Sequence, residues 1–321
     1  MNTKNKILAL LESNRSKSIS GEFIAGQLGV SRNAVWKAIN ELKKDGYKIK
    51  AVTNKGYLLC DDNDILSVQG MLPFLTEKSI SKQIFVHDVL ESTNKTAKEM
   101  AVSGAEHGTV ITANHQTTGK GRYGRAFYSP PDSGIYMSFI LHPAELYFNT
   151  PTLITAFAAV SVCEAIEAVS SLTPRIKWVN DVFIDSKKIC GILTEAITDF
   201  ESGNTQWAVV GIGINFNTSD FPEDLQETAG ALFGEKTPVT RNRLCAELIN
   251  RIINPENHSE KEMLGKYKQR MYMLGKRVTV TGISETYEAV ALDVDETGRL
   301  VVRKADGEQL SLSAGEISVK V

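Results

Sequence analysis

Chemistry in this chain is suggested first by Gly119-Lys120-Gly121-Arg122-Tyr123-Gly124-Arg125, where glycines alternate with cations. Glycine tolerates positive φ and close approach, so such a loop can turn backbone N–H groups onto an anion. Lys120, Arg122 and Arg125 add fixed positive charge where a phosphate or carboxylate would lie. Taken alone, the pattern is also that of a solvated basic turn. Further polar groups flank it in order. Ser92-Thr93-Asn94 closes an apolar, strand-like run, and Gln116 stands three residues before the loop. Lys177-Trp178-Val179-Asn180-Asp181 follows, then Lys188-Ile189-Cys190-Gly191-Ile192-Leu193, then Gly211-Ile212-Gly213-Ile214-Asn215.

The elements that must position these groups alternate between strand-like and helix-like from Ile84 to about Leu274. β-Branched and aromatic content predicts strands at Thr109–Ala113, Gly134–Leu141, Lys188–Ile197 and Trp207–Phe216. Helices are expected from Ser92 to Val102, from Thr150 (a cap followed by Pro151) to about Val169, and from Thr240. Strands crowd together while helices gather at the ends, which favours an α+β domain with a mixed sheet over a doubly wound one. The glycine loop then lies between two strands, long and free to move. From Gly275 the chain reads as short alternating strands with turns at Asp295-Glu296-Thr297-Gly298 and Asp306-Gly307. A small SH3-like β-barrel fits that spacing.

The first 60 residues hold 11 Lys and Arg against 4 Asp and Glu, while the whole chain has a net charge of −2. A basic module on an acidic body reads as a nucleic-acid reader joined to a domain that must not adhere to nucleic acid. Ile7, Leu8, Leu10 and Leu11 give a first helix its buried face, and Ser20 opens a second that ends at the Gly29-Val30 turn. Ser31 caps a third helix from Arg32 to about Lys44. Val35, Ala38, Ile39 and Leu42 share one face of it; Arg32, Asn33, Trp36, Lys37 and Asn40 share the other. One face packs and the other offers hydrogen-bonding and cationic groups, as a helix reading the major groove requires. Tyr47–Val52, a turn at Asn54-Lys55-Gly56, and Tyr57–Leu59 complete a winged helix-turn-helix. The polar stretch Cys60–Asp64 reads as a linker.

Composition narrows the classes further. A hydrophobic fraction of 42% supports globular cores, and no apolar run is read as a membrane span of roughly 18 residues. The amphipathic N-terminus is not read as a secretory signal. Four scattered cysteines without Cys-x-x-Cys spacing suggest reduced thiols in a cytoplasm and no structural zinc.

Taken together and in this order, the motifs resemble the catalytic domain of biotin protein ligases, and the flanking regions extend the likeness to the two-function members that repress transcription. One departure is Val179, where that family usually has proline; a freed torsion and a restored N–H donor follow. The resemblance implies residues 1–60 as a winged helix-turn-helix, 61–80 as a linker region, 81–274 as the biotin- and ATP-binding domain, and 275–321 as the SH3-like domain. It implies that Ser92, Thr93, Asn94, Gln116, Lys120, Gly121, Arg122, Lys188 and Gly191 hold biotin. Lys120, Arg122, Arg125, Phe127, Asn180, Asp181 and Asn215 would serve ATP, with Phe127 stacking on adenine and Asp181 holding Mg²⁺. Lys188, Arg122 and Asp181 would carry catalysis, and biotinoyl-5′-AMP would be both intermediate and corepressor. Ser31, Arg32, Asn33, Trp36, Lys37 and Asn40 would face DNA. Implied partners are the biotin carboxyl carrier domain of acetyl-CoA carboxylase or pyruvate carboxylase, biotin operator DNA and a second copy in a homodimer, with no membrane. Two other readings remain open at this point: a DNA-binding biotin sensor without ligase activity, and a lipoate or octanoate ligase on a similar domain.

Overall fold

A computed structural model of the chain describes residues 2–146, 150–198, 205–253, 259–282, 285–313 and 315–319. The chain forms two compact units, residues 1–82 with 238–250, and residues 83–237 with 251–321.

In the first unit, α1 (Thr3–Glu12), α2 (Gly21–Leu28) and α3 (Arg32–Lys44) precede a hairpin of β1 (Ile49–Val52) and β2 (Gly56–Leu59). Ser20 and Ser31 each accept a backbone N–H in the first turn of the helix they open, caps worth about 1 kcal/mol apiece. Gly29 ends α2 at φ 64°, in the left-handed region. Ile7, Leu8, Leu11, Ile24, Val35, Ile39 and Leu42 are buried together and fix the three helices on one another.

The stretch expected as a linker is built into this unit. The Asn63 side chain is buried and accepts the Lys48 N–H at 2.9 Å. The Asp64 carboxylate accepts the Arg241 backbone N–H at 2.8 Å and its Nε at 3.0 Å, and the Arg241 Nη2 donates to the Asp64 carbonyl at 2.7 Å. Burial pushes the Asp64 carboxyl up from its ordinary value against the pull of Arg241. A short helix, α4 (Val68–Met71), follows, and Asn242 accepts the Ser67 N–H at 2.9 Å. Charges this buried persist only when fully hydrogen-bonded, and the partner at position 241 lies too far along the sequence for local pattern to reveal it.

The second unit opens with β3 (Ile84–Leu90), α5 (Thr93–Val102), β4 (Thr109–Gln116), β5 (Gly134–Leu141) and α6 (Pro151–Val169). It continues with β6 (Arg175–Lys177), β7 (Asp181–Ile184), β8 (Lys187–Thr198) and β9 (Thr205–Asn215). α7 spans Arg241–Ile253, its residues through Asn250 counting with the first unit, and α8 spans Glu260–Arg270. The seven strands order as β3-β4-β5-β9-β8-β7-β6. Only β3 and β4 run parallel, so the sheet is mixed as expected.

α6 corrects the expectation that no segment is long and apolar enough for a membrane. It has 19 residues and a window of mean hydropathy 1.7, yet 72% of that window is buried inside the protein. A helix apolar all round is an internal one, and each of Ile154, Phe157, Val162 and Ile166 stabilises the fold by roughly 1.5–3 kcal/mol through burial.

The chain ends in β10 (Arg277–Thr281), β11 (Thr286–Val294), β12 (Leu300–Lys304), β13 (Gln309–Leu312) and β14 (Glu316–Val319). They form an antiparallel five-stranded sheet in the order β13-β12-β11-β10-β14. The Trp178 Nε1 donates to the Gly298 carbonyl at 3.0 Å, and the buried Tyr267 hydroxyl of α8 donates to the Val179 carbonyl at 2.9 Å. The β6–β7 turn is thereby held from two sides; its Trp178–Val179 peptide is cis.

Candidate functional site

A cavity of about 480 Å³ opens in the second unit, and every cavity residue expected from the sequence except Asn215 lines it. Its two ends differ in chemistry.

The neutral end grows from the start of α5. Ser92 stands at the N-cap position but makes no side-chain cap bond, so its hydroxyl is left to the cavity. The Thr93 N–H donates to Gln116 Oε1 at 2.8 Å, with the Thr93 hydroxyl 3.1 Å from the same oxygen. Gln116 Nε2 donates to Ser129 Oγ at 3.0 Å. The Ser138 hydroxyl lies 2.8 Å from Thr93 Oγ1 and 2.6 Å from Asn94 Oδ1, and Asn94 Nδ2 donates to Glu195 Oε2 at 2.8 Å. Burial opposes ionisation of Glu195, but hydrogen bonds from Lys98 and Asn94 outweigh it and hold the carboxyl below its ordinary range. Gly211 makes the arrangement possible, because a Cβ there would overlap the Asn94 amide. The network fixes side-chain orientations in advance of any ligand.

At the other end the charges are paired within the protein. Lys188 Nζ lies 2.7 Å from Asp181 Oδ1, and Arg125 Nη2 lies 2.6 Å from Glu316 Oε1 of β14. Arg122 Nη1 donates to Asn180 Oδ1 at 3.1 Å, and Asn180 Nδ2 donates to the Ile192 carbonyl at 2.9 Å. Lys177 also lines the cavity, and burial lowers its ammonium from the ordinary lysine value, Asp181 opposing. Gly191 and Gly213 face each other across β8 and β9. The Phe127 ring lies over both; a Cβ on Gly213 would come within 2.5 Å of it.

The glycine loop departs from the expected open cradle. The Gly121 N–H donates to the Arg125 carbonyl at 2.7 Å, Arg125 to Arg122 at 3.2 Å, and Phe127 to Gly119 at 2.9 Å. Backbone groups pair among themselves, so the loop is a closed hairpin with a bridge from Lys120 to Ala126. Gly121 has φ −111°, open to any residue, while Gly124 has φ 75°. Nor does the loop hang free: the Gly315 N–H donates to the Tyr123 hydroxyl at 3.2 Å.

Asn215 stands outside the cavity lining. It is buried at the end of β9 and donates through Nδ2 to the Gly230 carbonyl at 3.0 Å, so it braces the segment whose Leu225, Glu227 and Thr228 line the cavity. Sequence reading missed Ser129, Ser138, Glu195 and Glu316. Ser138 had a signal, as the one hydroxyl among the apolar residues following Tyr136 in β5; Glu316 had none. No group of three metal-binding side chains occurs among the described residues. Asp181 alone suits Mg²⁺ arriving with a nucleotide, since that ion is held by one or two carboxylates plus phosphates.

In the first unit, α3 turns Arg32, Asn33, Trp36 and Lys37 outward, with Trp36 56% exposed and Asn40 half-buried. The Ser31 hydroxyl is used in capping, accepting the Ala34 N–H at 3.1 Å. Lys50 and Lys55 on the wing are exposed as well.

These features define a helix-turn-helix reader joined to an acyl-activating ligase fold. Residues 3–58 match the model of an HTH domain, 86–215 that of the biotin/lipoate A/B protein ligase family, and 273–320 that of the biotin protein ligase C-terminal domain. The bifunctional ligase/repressor BirA of Bacillus spizizenii is 35% identical over 320 residues, 97% of each chain. That of Escherichia coli is 26% identical over 98% of this chain and 96% of its own. The solved structure of the biotin protein ligase from Aquifex aeolicus, in complex with biotin and ATP, superposes with TM-score 0.63 at 28% identity, covering 74% of this chain and 98% of that one. The chain belongs to the BirA family of bifunctional ligase/repressors.

Proposed function

We propose that the chain condenses biotin with ATP to biotinoyl-5′-AMP, transfers the biotinoyl group to a lysine of a carboxylase's biotin carboxyl carrier domain, and represses biotin operons as a homodimer. The observation that carries this is the joining of a prebuilt neutral hydrogen-bonding end and a cationic end in one cavity. Biotin's uncharged ureido ring suits Ser92, Thr93, Asn94 and Gln116. Its carboxylate must then approach an α-phosphate of like charge, and Lys188, Arg122, Lys177 and Arg125 stand ready to offset that repulsion. The carboxylate oxygen bonds to the α-phosphorus as pyrophosphate leaves; no side-chain nucleophile is needed. Asp181 would hold Mg²⁺, which screens the phosphates. Phe127 offers an aromatic face for adenine.

A lipoate or octanoate ligase is disfavoured because a dithiolane ring or alkyl chain would leave the neutral end's polar groups unpaired. A sensor without ligase activity is disfavoured by the intact Lys188, Asp181 and Arg122. Beyond Ile192, β8 pairs only with β9 among the described residues. Such an edge can pair with a second copy, which would bring two recognition helices to one palindromic operator. Pyrophosphate release from ATP, measured with biotin, lipoate and octanoate separately, tests the activity. Release with biotin alone is expected, and release only with lipoate or octanoate would reassign the pocket. For the DNA role, Arg32→Ala with Lys37→Ala should weaken operator binding at least tenfold and leave adenylate synthesis unchanged; undiminished binding would move the DNA contact elsewhere.

A further inference from the structure

A second cavity of about 130 Å³ adjoins the first and shares Arg122, Asn180, Ile192 and Leu193 with it. The shared wall is the Arg122–Asn180 pair. Asn180 is fixed by two bonds to Ile192, whose N–H donates to the Asn180 carbonyl at 2.9 Å and whose own carbonyl accepts Nδ2. Arg122 is carried by the glycine loop and meets Asn180 through one hydrogen bond, Nη1 to Oδ1 at 3.1 Å, so breaking that contact would open the wall. On its far side the second cavity is lined by Pro151, Thr152, Thr155, Thr194, Val179 and Ser313. The Thr155 hydroxyl lies 2.7 Å from both the Pro151 carbonyl and Thr194 Oγ1. Apart from Arg122, this lining carries no charge.

The transfer step requires an amine to reach the activated acyl carbon, and the main cavity is walled by Lys120, Gly121, Arg122 and Tyr123 of the loop and by Glu316, Ile317 and Ser318 of β14. We propose that the second cavity is the channel through which the acceptor lysine of the carrier domain reaches the activated biotinoyl group, with Arg122 as its inner gate; this rests on the ligase activity proposed above. The apolar and hydroxyl lining suits the methylene stem of a lysine, and no carboxylate is present to stabilise its ammonium. The Arg122 guanidinium at the inner end opposes a second positive charge, which favours the neutral, nucleophilic amine. Its nitrogen bonds to the acyl carbon, the acyl C–O bond to phosphate breaks, AMP leaves with the electron pair, and the surplus proton on nitrogen passes to water.

The test fills the channel without touching the main cavity, using Ser313→Trp and, as an independent obstruction in α6, Thr152→Phe. Biotin-dependent ATP–pyrophosphate exchange should stay within twofold of wild type in at least one of them, which also certifies its fold. In that variant, discharge of enzyme-held biotinoyl-5′-AMP to the carrier lysine and to hydroxylamine should both slow on the order of tenfold. Undiminished transfer would overturn the proposal. So would slow transfer to the carrier with wild-type discharge to hydroxylamine, because only docking at the surface would then have been disturbed. Absence of exchange in the wild type would instead remove the ligase reading itself.

Discussion

The two ends of the main cavity solve opposite problems. At the neutral end, Thr93, Asn94, Gln116, Ser129 and Ser138 are bonded to one another and to Glu195, so the surface proposed for an uncharged ring is built by the protein's own contacts. At the charged end, Asp181 and Glu316 occupy Lys188 and Arg125, the cations that an anionic ligand needs. The first arrangement lowers the ordering cost of binding. The second offsets the repulsion between adjacent cations, and on the proposed function a nucleotide would exchange its phosphates for the protein's carboxylates. On the proposed function, preorganisation belongs to biotin and competition belongs to ATP.

Substitutions at each end should separate these behaviours. Lys188→Ala should lower single-turnover adenylate synthesis by about 10²–10³, the scale for removing one group that stabilises charge in a transition state, with an unchanged melting profile. Unchanged synthesis would take Lys188 out of the mechanism. Gly211→Ala drives a methyl into Asn94 and should weaken biotin binding at least tenfold by calorimetry, with a stability loss of about 1–3 kcal/mol. A larger effect on the KM for ATP than on biotin affinity would mean that the ends are not separable. Ser138→Ala removes a buried donor and should cost about 1 kcal/mol of stability, with a several-fold rise in the biotin Kd.

The smallest effect is expected at Glu316. The Arg125 and Glu316 side chains are 68% and 37% exposed, and exposed pairs contribute about 0–1 kcal/mol. Glu316→Gln should thus lower the KM for ATP only two- to threefold and leave biotin affinity unaltered, while speeding trypsin cleavage within residues 120–125. A raised KM would show that Glu316 assists the nucleotide rather than competing with it.

Legibility followed the range over which each feature is specified. The α3 face was readable because its residues recur at helical spacing within one segment, and Gly134–Leu141 because an apolar run rich in β-branched and aromatic residues, interrupted only by Ser138, names a buried strand. The motif residues at 92–94, 116, 119–127, 180–181 and 188–191 were found, and they converge. What the motifs could not carry was partnership across distance: Arg241 with Asp64, Glu316 with Arg125, and Asn94 with Glu195 are joined by topology alone. The short β6–β7 hairpin escaped for a related reason, since three- and four-residue strands hold too little periodicity. The loop's closed form was also hidden, because its glycines permit both an open cradle and a hairpin.

The most direct test of the contrast is a crystal structure of the full chain with biotin alone. The ureido ring should lie against Thr93, Asn94 and Gln116 with their mutual hydrogen bonds unchanged, and Arg125 should still contact Glu316. A ring bound beside Lys188 and Asp181, or a neutral end rebuilt around the ligand, would contradict the claim that biotin's half of the site is formed in advance.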